Sequence, residues 1–372
     1  MKFKRYCAST AFLWWERAAN RASAVLLTGA IRFVPLAASV LACQPAAAVE
    51  FEPAFLLRAA HSLVRVEADR PPRGIQIGTG VVIAPETVAT ACHVIRDAVT
   101  VSILYTGRRW KMSALHAMPE RDVCVFSVPS LDAPPARLRN AGELQIGESV
   151  AAVGFGGGAG IQWSEGMVEK LHRFDGGEIV QTSAAFTLGA SGGALFDTRG
   201  RVFGVLSFGM RGKDPQFYCV PIEWAVQETI HGDSGRSVDT RFNASPFWER
   251  EVEALPFFMR ASTLESEQRW EDLSALCEAW RLVEPYSAEP AYIRSAIHTH
   301  FGRLIAARYA LEEATRLDSQ HALAWSALVR VRLRLHDLGG AQDAYSRLVA
   351  LNARLARALL ADEVALQRQV DE

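Results

Sequence analysis

The chain has no excess of charge of either sign. Its 40 Lys plus Arg almost cancel its 41 Asp plus Glu, so no overall field draws it to nucleic acid or to an anionic membrane surface. Six cysteines occur without a Cys-x-x-Cys pair, and none of the nine histidines stands at zinc-ligand spacing. No metal site is indicated, and no cofactor is expected. No apolar run reaches the ~20 residues that a membrane-spanning helix needs. Beyond about residue 238, Gly and Pro are scarce inside the long segments, which argues against the short, turn-rich strands seen earlier in the chain.

What is present is ordinary globular composition, 49% hydrophobic and 22% charged over 372 residues, enough for two or three domains with cores of their own. The chain opens with Lys2, Lys4 and Arg5, continues to an apolar run from Phe33 to Cys43, and reaches Pro45-Ala46-Ala47-Ala48. That order resembles a secretory signal over 1–48, with cleavage after Ala48 as the preferred reading. A second reading takes Val40-Leu41-Ala42-Cys43 as a lipoprotein-processing box that leaves Cys43 acylated, so that any membrane contact is a lipid anchor there. Either implies export, to the periplasm or beyond. The cysteines that would remain, Cys92, Cys124, Cys219 and Cys277, read as small buried thiols, and their spacing sets no pairing.

Residues 49–231 read as an all-β unit: short runs of Val, Ile and Phe broken by Gly, Pro and Asp turns. About eleven candidate strands, among them Leu63 to Glu67, Ile75 to Ile83, Trp110 to Leu115 and Ile161 to Leu171, suit two small barrels at about 59–130 and 145–222. The stretch Pro129 to Gly147 reads as the link between the barrels, and a helix from Pro221 to about Ile230 closes the unit. After a polar linker, 232–257, residues 258–372 turn to long Ala- and Leu-rich amphipathic segments. These recur every 34 residues, with Leu273, Ala307 and Ala341 in register, as are Cys277, Leu311 and Tyr345. That period belongs to tetratricopeptide-like helix pairs. Trp325, Leu328, Ala341, Tyr345 and Leu351 resemble that family's packing positions, Pro285 stands where its consensus ends a repeat, and Arg354 to Gln369 reads as a capping helix. The expected fold is therefore multidomain, a double β-barrel followed by an all-α helical repeat.

Three segments have the residue types that nucleophilic acyl transfer requires. Thr90-Ala91-Cys92-His93 offers an imidazole at a strand end, able to take a proton near neutral pH. Arg121-Asp122-Val123-Cys124-Val125-Phe126 puts a carboxylate at the edge of a core, where it can fix the tautomer of an imidazole and stabilise the imidazolium. Each has a plain structural alternative, an ordinary histidine or an acid in a strand-entry turn. The third, Leu188-Gly189-Ala190-Ser191-Gly192-Gly193, is the most specific. Its glycines let the backbone turn tightly and aim the N–H groups of Gly189 and Ser191 into a pocket as an oxyanion hole.

Together, and in the order His93, Asp122, Ser191, these segments resemble the trypsin-like serine peptidases (chymotrypsin-like fold), most closely their HtrA (Deg) branch, from about Phe51 to Ile230. Gly78-Thr79-Gly80-Val81-Val82-Ile83 and Gln181 to Leu195 extend the resemblance. It implies a catalytic triad of those three residues acting on polypeptide substrates. It also implies a primary pocket lined by Ala185, Phe186 and Phe217 with no acid to attract Lys or Arg, and strand-like pairing of substrate with Ser207, Phe208 and Gly209. Phe217 stands where the branch usually has glycine, so a shallow or shut pocket is expected. Ala190 and Cys92 also depart from the branch without removing a catalytic group, and the PDZ domain typical of it is absent. The repeats would then recruit a protein partner or substrate, or buttress the barrels. Three functions remain open on the sequence: an active endopeptidase of unfolded or envelope proteins, a protease held latent until a partner engages the repeats, and a catalytically silent scaffold.

Overall fold

The computed structural model describes residues 51–158, 160–210, 215–231 and 238–371. The expected leader and Cys43 lie outside these residues. Among the described residues no helix is long and apolar enough to cross a membrane.

Two seven-stranded sheets follow one another. The first comprises β1 (Leu63–Arg70), β2 (Gly74–Ala84), β3 (Thr87–Thr90), β4 (Thr100–Tyr105), β5 (Arg108–Lys111), β6 (Ala114–Met118) and β7 (Val123–Ser127), ordered β5-β4-β1-β2-β3-β7-β6. Alternation drives it: Val64, Val66 and Ala68 of β1 point inward onto Val82, Ile103 and Phe126, while the residues between them are partly exposed. The second comprises β8 (Arg137–Leu138), β9 (Ser149–Gly154), β10 (Gln162–Phe174), β11 (Gly177–Thr182), β12 (Ala194–Asp197), β13 (Arg201–Met210) and β14 (Gln216–Pro221). Its order β12-β9-β10-β11-β14-β13 is closed by a β12 to β13 pairing, so six strands form a ring, with β8 added parallel to β13. Full closure leaves those strands few open edges.

Where strand prediction and structure differ, the cause is local. The run Trp110 to Leu115 is divided between β5 and β6, because Arg108–Lys111 pairs with β4 and Ala114–Met118 turns to pair with β7. The two-residue β8 lies inside the expected link, and β12 is a strand the sequence reading did not delimit. An early helix, α1 (Pro53–His61), was also missed; it sets Phe55 edge-on against Phe196 of β12 at 5.7 Å.

His93 lies not at a strand end but in a one-turn helix, α2 (Cys92–Ile95), just after β3. A helix α3 (Ile222–His231) then buries Trp224 and Ala225 at the seam, where Val81, Ala89 and Val125 of the first barrel meet Val153, Ile179 and Tyr218 of the second in one apolar cluster. The thiol reading is corrected at two positions: Cys92 and Cys124 form a disulfide. Cys219 and Cys277 are free and buried, and burial pushes the Cys277 thiol up to about 12.

The helical region runs α4 (Phe257–Ser266), α5 (Trp270–Val283), α6 (Glu289–His300), α7 (Leu304–Leu317), α8 (Ala322–Arg334), α9 (Leu338–Leu351) and α10 (Ala353–Asp371). Short connections make neighbours antiparallel. Leu273, Ala307 and Ala341, in register at the sequence level, are all buried. The turn between the helices of each successive pair also repeats, since Gln268, Gly302 and His336 all take the left-handed conformation. The region docks on the second barrel. Phe258 of α4 stacks on His172 of β10 at 4.3 Å, and the Ser262 hydroxyl is bonded to Gln216 Oε1. At the far end Asn352 and Arg354 donate to the carbonyls of Ile146 and Gly147, just before β9.

Candidate active site

The first barrel contributes His93 and Asp122, which the pairing of β3 with β7 brings together, with Thr90 opposite Cys124. Asp122 ends a 3₁₀ turn, Pro119–Arg121, in the left-handed conformation (φ 59°), which a short polar side chain tolerates. Its carboxylate is completely buried and is surrounded by donors. Oδ1 accepts the His93 backbone N–H at 2.9 Å, and Oδ2 accepts His93 Nδ1 at 2.8 Å. Oδ2 also accepts the Ser207 hydroxyl and, at 3.3 Å, the indole N–H of Trp248. A buried anion without such donors would be expensive. With Nδ1 committed to the carboxylate, the free lone pair of a neutral His93 is on Nε2. Arg70 fixes α2 from the other side, its Nη2 donating to the carbonyls of His93 and Val94 at 2.6 and 2.9 Å.

The second barrel contributes Ser191, held by backbone geometry. Gly189 (φ 94°) and Gly192 (φ 82°) take conformations that other residues avoid. A Cβ on Gly192 would stand 2.0 Å from the Thr79 carbonyl and 2.2 Å from the Thr90 hydroxyl. Thr79, the centre of Gly78-Thr79-Gly80, binds this loop at several points. Its N–H donates to Ser191 O (2.9 Å), its hydroxyl donates to Gly189 O and accepts from Phe155 N (both 2.8 Å), and its carbonyl accepts from Thr90 (2.6 Å). The backbone N–H groups of Gly189 and Ser191 have no protein acceptor among the described residues.

Ser207 joins the two halves. Its hydroxyl donates to Asp122, and its carbonyl accepts the Ser191 hydroxyl at 3.3 Å. Among the described residues, Ser191 makes that bond and none to His93. Gln216 to Pro221 covers one edge of β13, whereas the other edge, beyond Val205, has no partner strand at 207–209 among the described residues. Beside it the rings of Phe186 and Phe217 touch, 5.2 Å apart, filling space next to the exposed Ala185. Phe208 is sandwiched between Tyr218 (4.7 Å) and Trp248 (5.4 Å). Two side chains escaped the sequence reading. The hydroxyl of Ser207 was read for its backbone only, and Trp248, whose ring lies edge-on to His93 at 5.3 Å, falls in the expected linker. No local motif distinguishes either.

A family profile described as the trypsin-like peptidase domain matches residues 78–205. Among curated proteins, the chain is 28% identical over 135 residues to a probable periplasmic serine endoprotease, DegP-like, of Chlamydia pneumoniae, covering 34% of this chain and 28% of that protein. It is 31% identical over 147 residues to a protein of the same description from Pseudomonas savastanoi pv. phaseolicola (38% and 31%). To the serine protease Rv3671c of Mycobacterium tuberculosis it is 29% identical over 140 residues (35% of each). The chain thus spans only about a third of these relatives' lengths. Among solved structures, the active form of the Rv3671c protease aligns with a TM-score of 0.48 at 22% identity, over 59% of this chain and 98% of that one. Residues 78–205, which carry His93, Asp122 and Ser191, thus match the trypsin-like peptidase domain, and serine endoproteases described as DegP-like are among the chain's relatives.

Proposed function

We propose that the chain is an exported serine endopeptidase in which His93, Asp122 and Ser191 act as the triad. The observation that carries this reading is the fully buried Asp122 carboxylate bonded to His93 Nδ1 at 2.8 Å and linked through Ser207 to the glycine-bounded Ser191. In the reaction, a substrate strand adds to the open edge at Ser207, Phe208 and Gly209. Its N–H takes the Ser207 carbonyl and releases the Ser191 hydroxyl toward His93. Ser191 Oγ then attacks the scissile carbonyl as His93 Nε2 takes its proton, and Asp122 stabilises the imidazolium. The oxyanion is met by the N–H groups of Gly189 and Ser191, typically worth about 3 kcal/mol each. His93 passes the proton to the leaving amine, and water hydrolyses the acyl-enzyme. Ala185, Phe186 and Phe217 admit small or medium apolar side chains, since the touching rings leave little depth.

The tetratricopeptide-like helices serve as the platform for a protein partner or for unfolded and envelope polypeptides, and periplasmic relatives support export of the chain. A latent form is a second reading, favoured by the Ser191 hydroxyl being engaged by Ser207 and by the filled pocket. A serine-directed fluorophosphonate probe tests the proposal. Wild type should be labelled and Ser191→Ala not. Labelling that requires added polypeptide or partner indicates latency, and no labelling under any condition leaves the silent scaffold.

A further inference from the structure

The chain does not leave the barrels when the second one is complete. From residue 238 it runs back across the seam. The Thr240 hydroxyl donates to Ala98 O (2.6 Å), and its carbonyl accepts from Asp97 N (2.9 Å), four residues after the histidine. Phe242 packs on the core of the first barrel. Phe247, completely buried, lies against Phe174 (4.7 Å) and Phe208 (5.5 Å) of the second. Glu249 then returns to the first barrel through a two-pronged pair with Arg96, at 2.7 and 2.9 Å. Such planar, paired bonds fix orientation as well as distance. The strap is thus anchored on both sides of Trp248, a half-buried residue outside the matched domain at 78–205.

Trp248 faces three groups. Its ring is nearly perpendicular to His93 (87°, 5.3 Å) and nearly parallel to Phe208 (19°, 5.4 Å), and its N–H reaches Asp122 Oδ2. Side chains of a strand alternate between faces. A peptide lying along 207–209 with its cleaved residue beside Phe186 and Phe217 therefore turns the preceding residue, P2, the other way, into the angle between His93 and Phe208. We infer that Trp248 is the wall of that subsite and restricts P2 to small side chains, making the strap a specificity-determining part of the proteolytic site. This rests on the peptidase reading above.

The test uses the full chain and paired peptides that differ only at P2, Ala against Leu or Phe. In Trp248→Ala, the kcat/KM ratio of large to small P2 rises about tenfold or more, the scale on which reshaping an apolar pocket changes selectivity. Trp248→Phe, which keeps a ring in place, holds the wild-type ratio. Trp248→Val repeats the test should the alanine variant fail to fold. A merely structural role lowers kcat/KM for every peptide alike and leaves the ratio where it was, so an unchanged ratio in folded, probe-labelled truncations overturns the inference while sparing the peptidase reading. A wild-type chain that the fluorophosphonate never labels removes both.

Discussion

The two barrels hold their halves of the site by opposite means. In the first, His93 and Asp122 are fixed mainly by side chains: Arg70 on the carbonyls of α2, three side-chain donors beside the His93 N–H on one carboxylate, and the Cys92–Cys124 bridge behind them. The second fixes Ser191 by leaving side chains out, at Gly189, Gly192 and Gly193, so that neighbouring backbone can close in. The contrast follows from the chemistry proposed for each half. A buried charge must be surrounded by donors, whereas an anion-receiving turn needs bare N–H groups and room. Their supports differ too: a disulfide ties the first barrel, α4 and α10 grip the second, and the strap touches both.

Breaking the first barrel's device has the largest effect. Asp122→Asn keeps the shape but presents an amide donor to His93 Nδ1, favouring the wrong tautomer; kcat for peptide hydrolysis should fall roughly 10⁴-fold with little change in KM. The second barrel's device fails sterically. Gly192→Ala places a methyl into the Thr79 carbonyl and demands a left-handed alanine, so the oxyanion turn is displaced and kcat drops about 10²- to 10³-fold. Unfolding measurements should show the second barrel still assembled, because the ring of strands does not pass through residue 192. Should Gly192→Ala retain full activity, the distinction between the two strategies fails.

The smallest effect concerns the grip on the second barrel. Burial against Phe258 pushes the His172 imidazole down to about 4, with Gln181 Oε1 at 3.1 Å from its Nε2. In the unfolded chain the same group takes a proton near pH 6.5. Between these values the unfolded state binds a proton that the folded state does not, so stability falls as pH is lowered from about 6.5 to 4, by at most about 3 kcal/mol. Chemical denaturation at pH 7 and 4.5 should show this slope in wild type. It should be flatter in His172→Phe, which keeps the ring contact; equal slopes would show that the helices do not hold His172 neutral.

Legibility in the sequence followed the same division. The glycine turn could be read because missing side chains leave a local signature, and the alternation of β1 and the 34-residue helical period announce themselves through short-range spacing. His93 and Asp122 stood out once their order relative to Ser191 was considered. What could not be read was whatever depends on folding distant segments together. Trp248 meets Asp122 from 126 residues away, and the Ser207 hydroxyl from 85. The Cys92–Cys124 pair is set by the register of β3 with β7, which a separation of 32 residues does not reveal. Elements as short as β8 carry too few residues for a periodic pattern to form.

That bridge also bears on the durability of the molecule. Thr106 and Gly107, an exposed turn between β4 and β5, lie within the stretch it encloses. A peptidase that cut there would shed neither piece, since the segments bearing His93 and Asp122 stay covalently fastened. Such a nicked molecule migrates as one chain until a thiol reagent separates it into two.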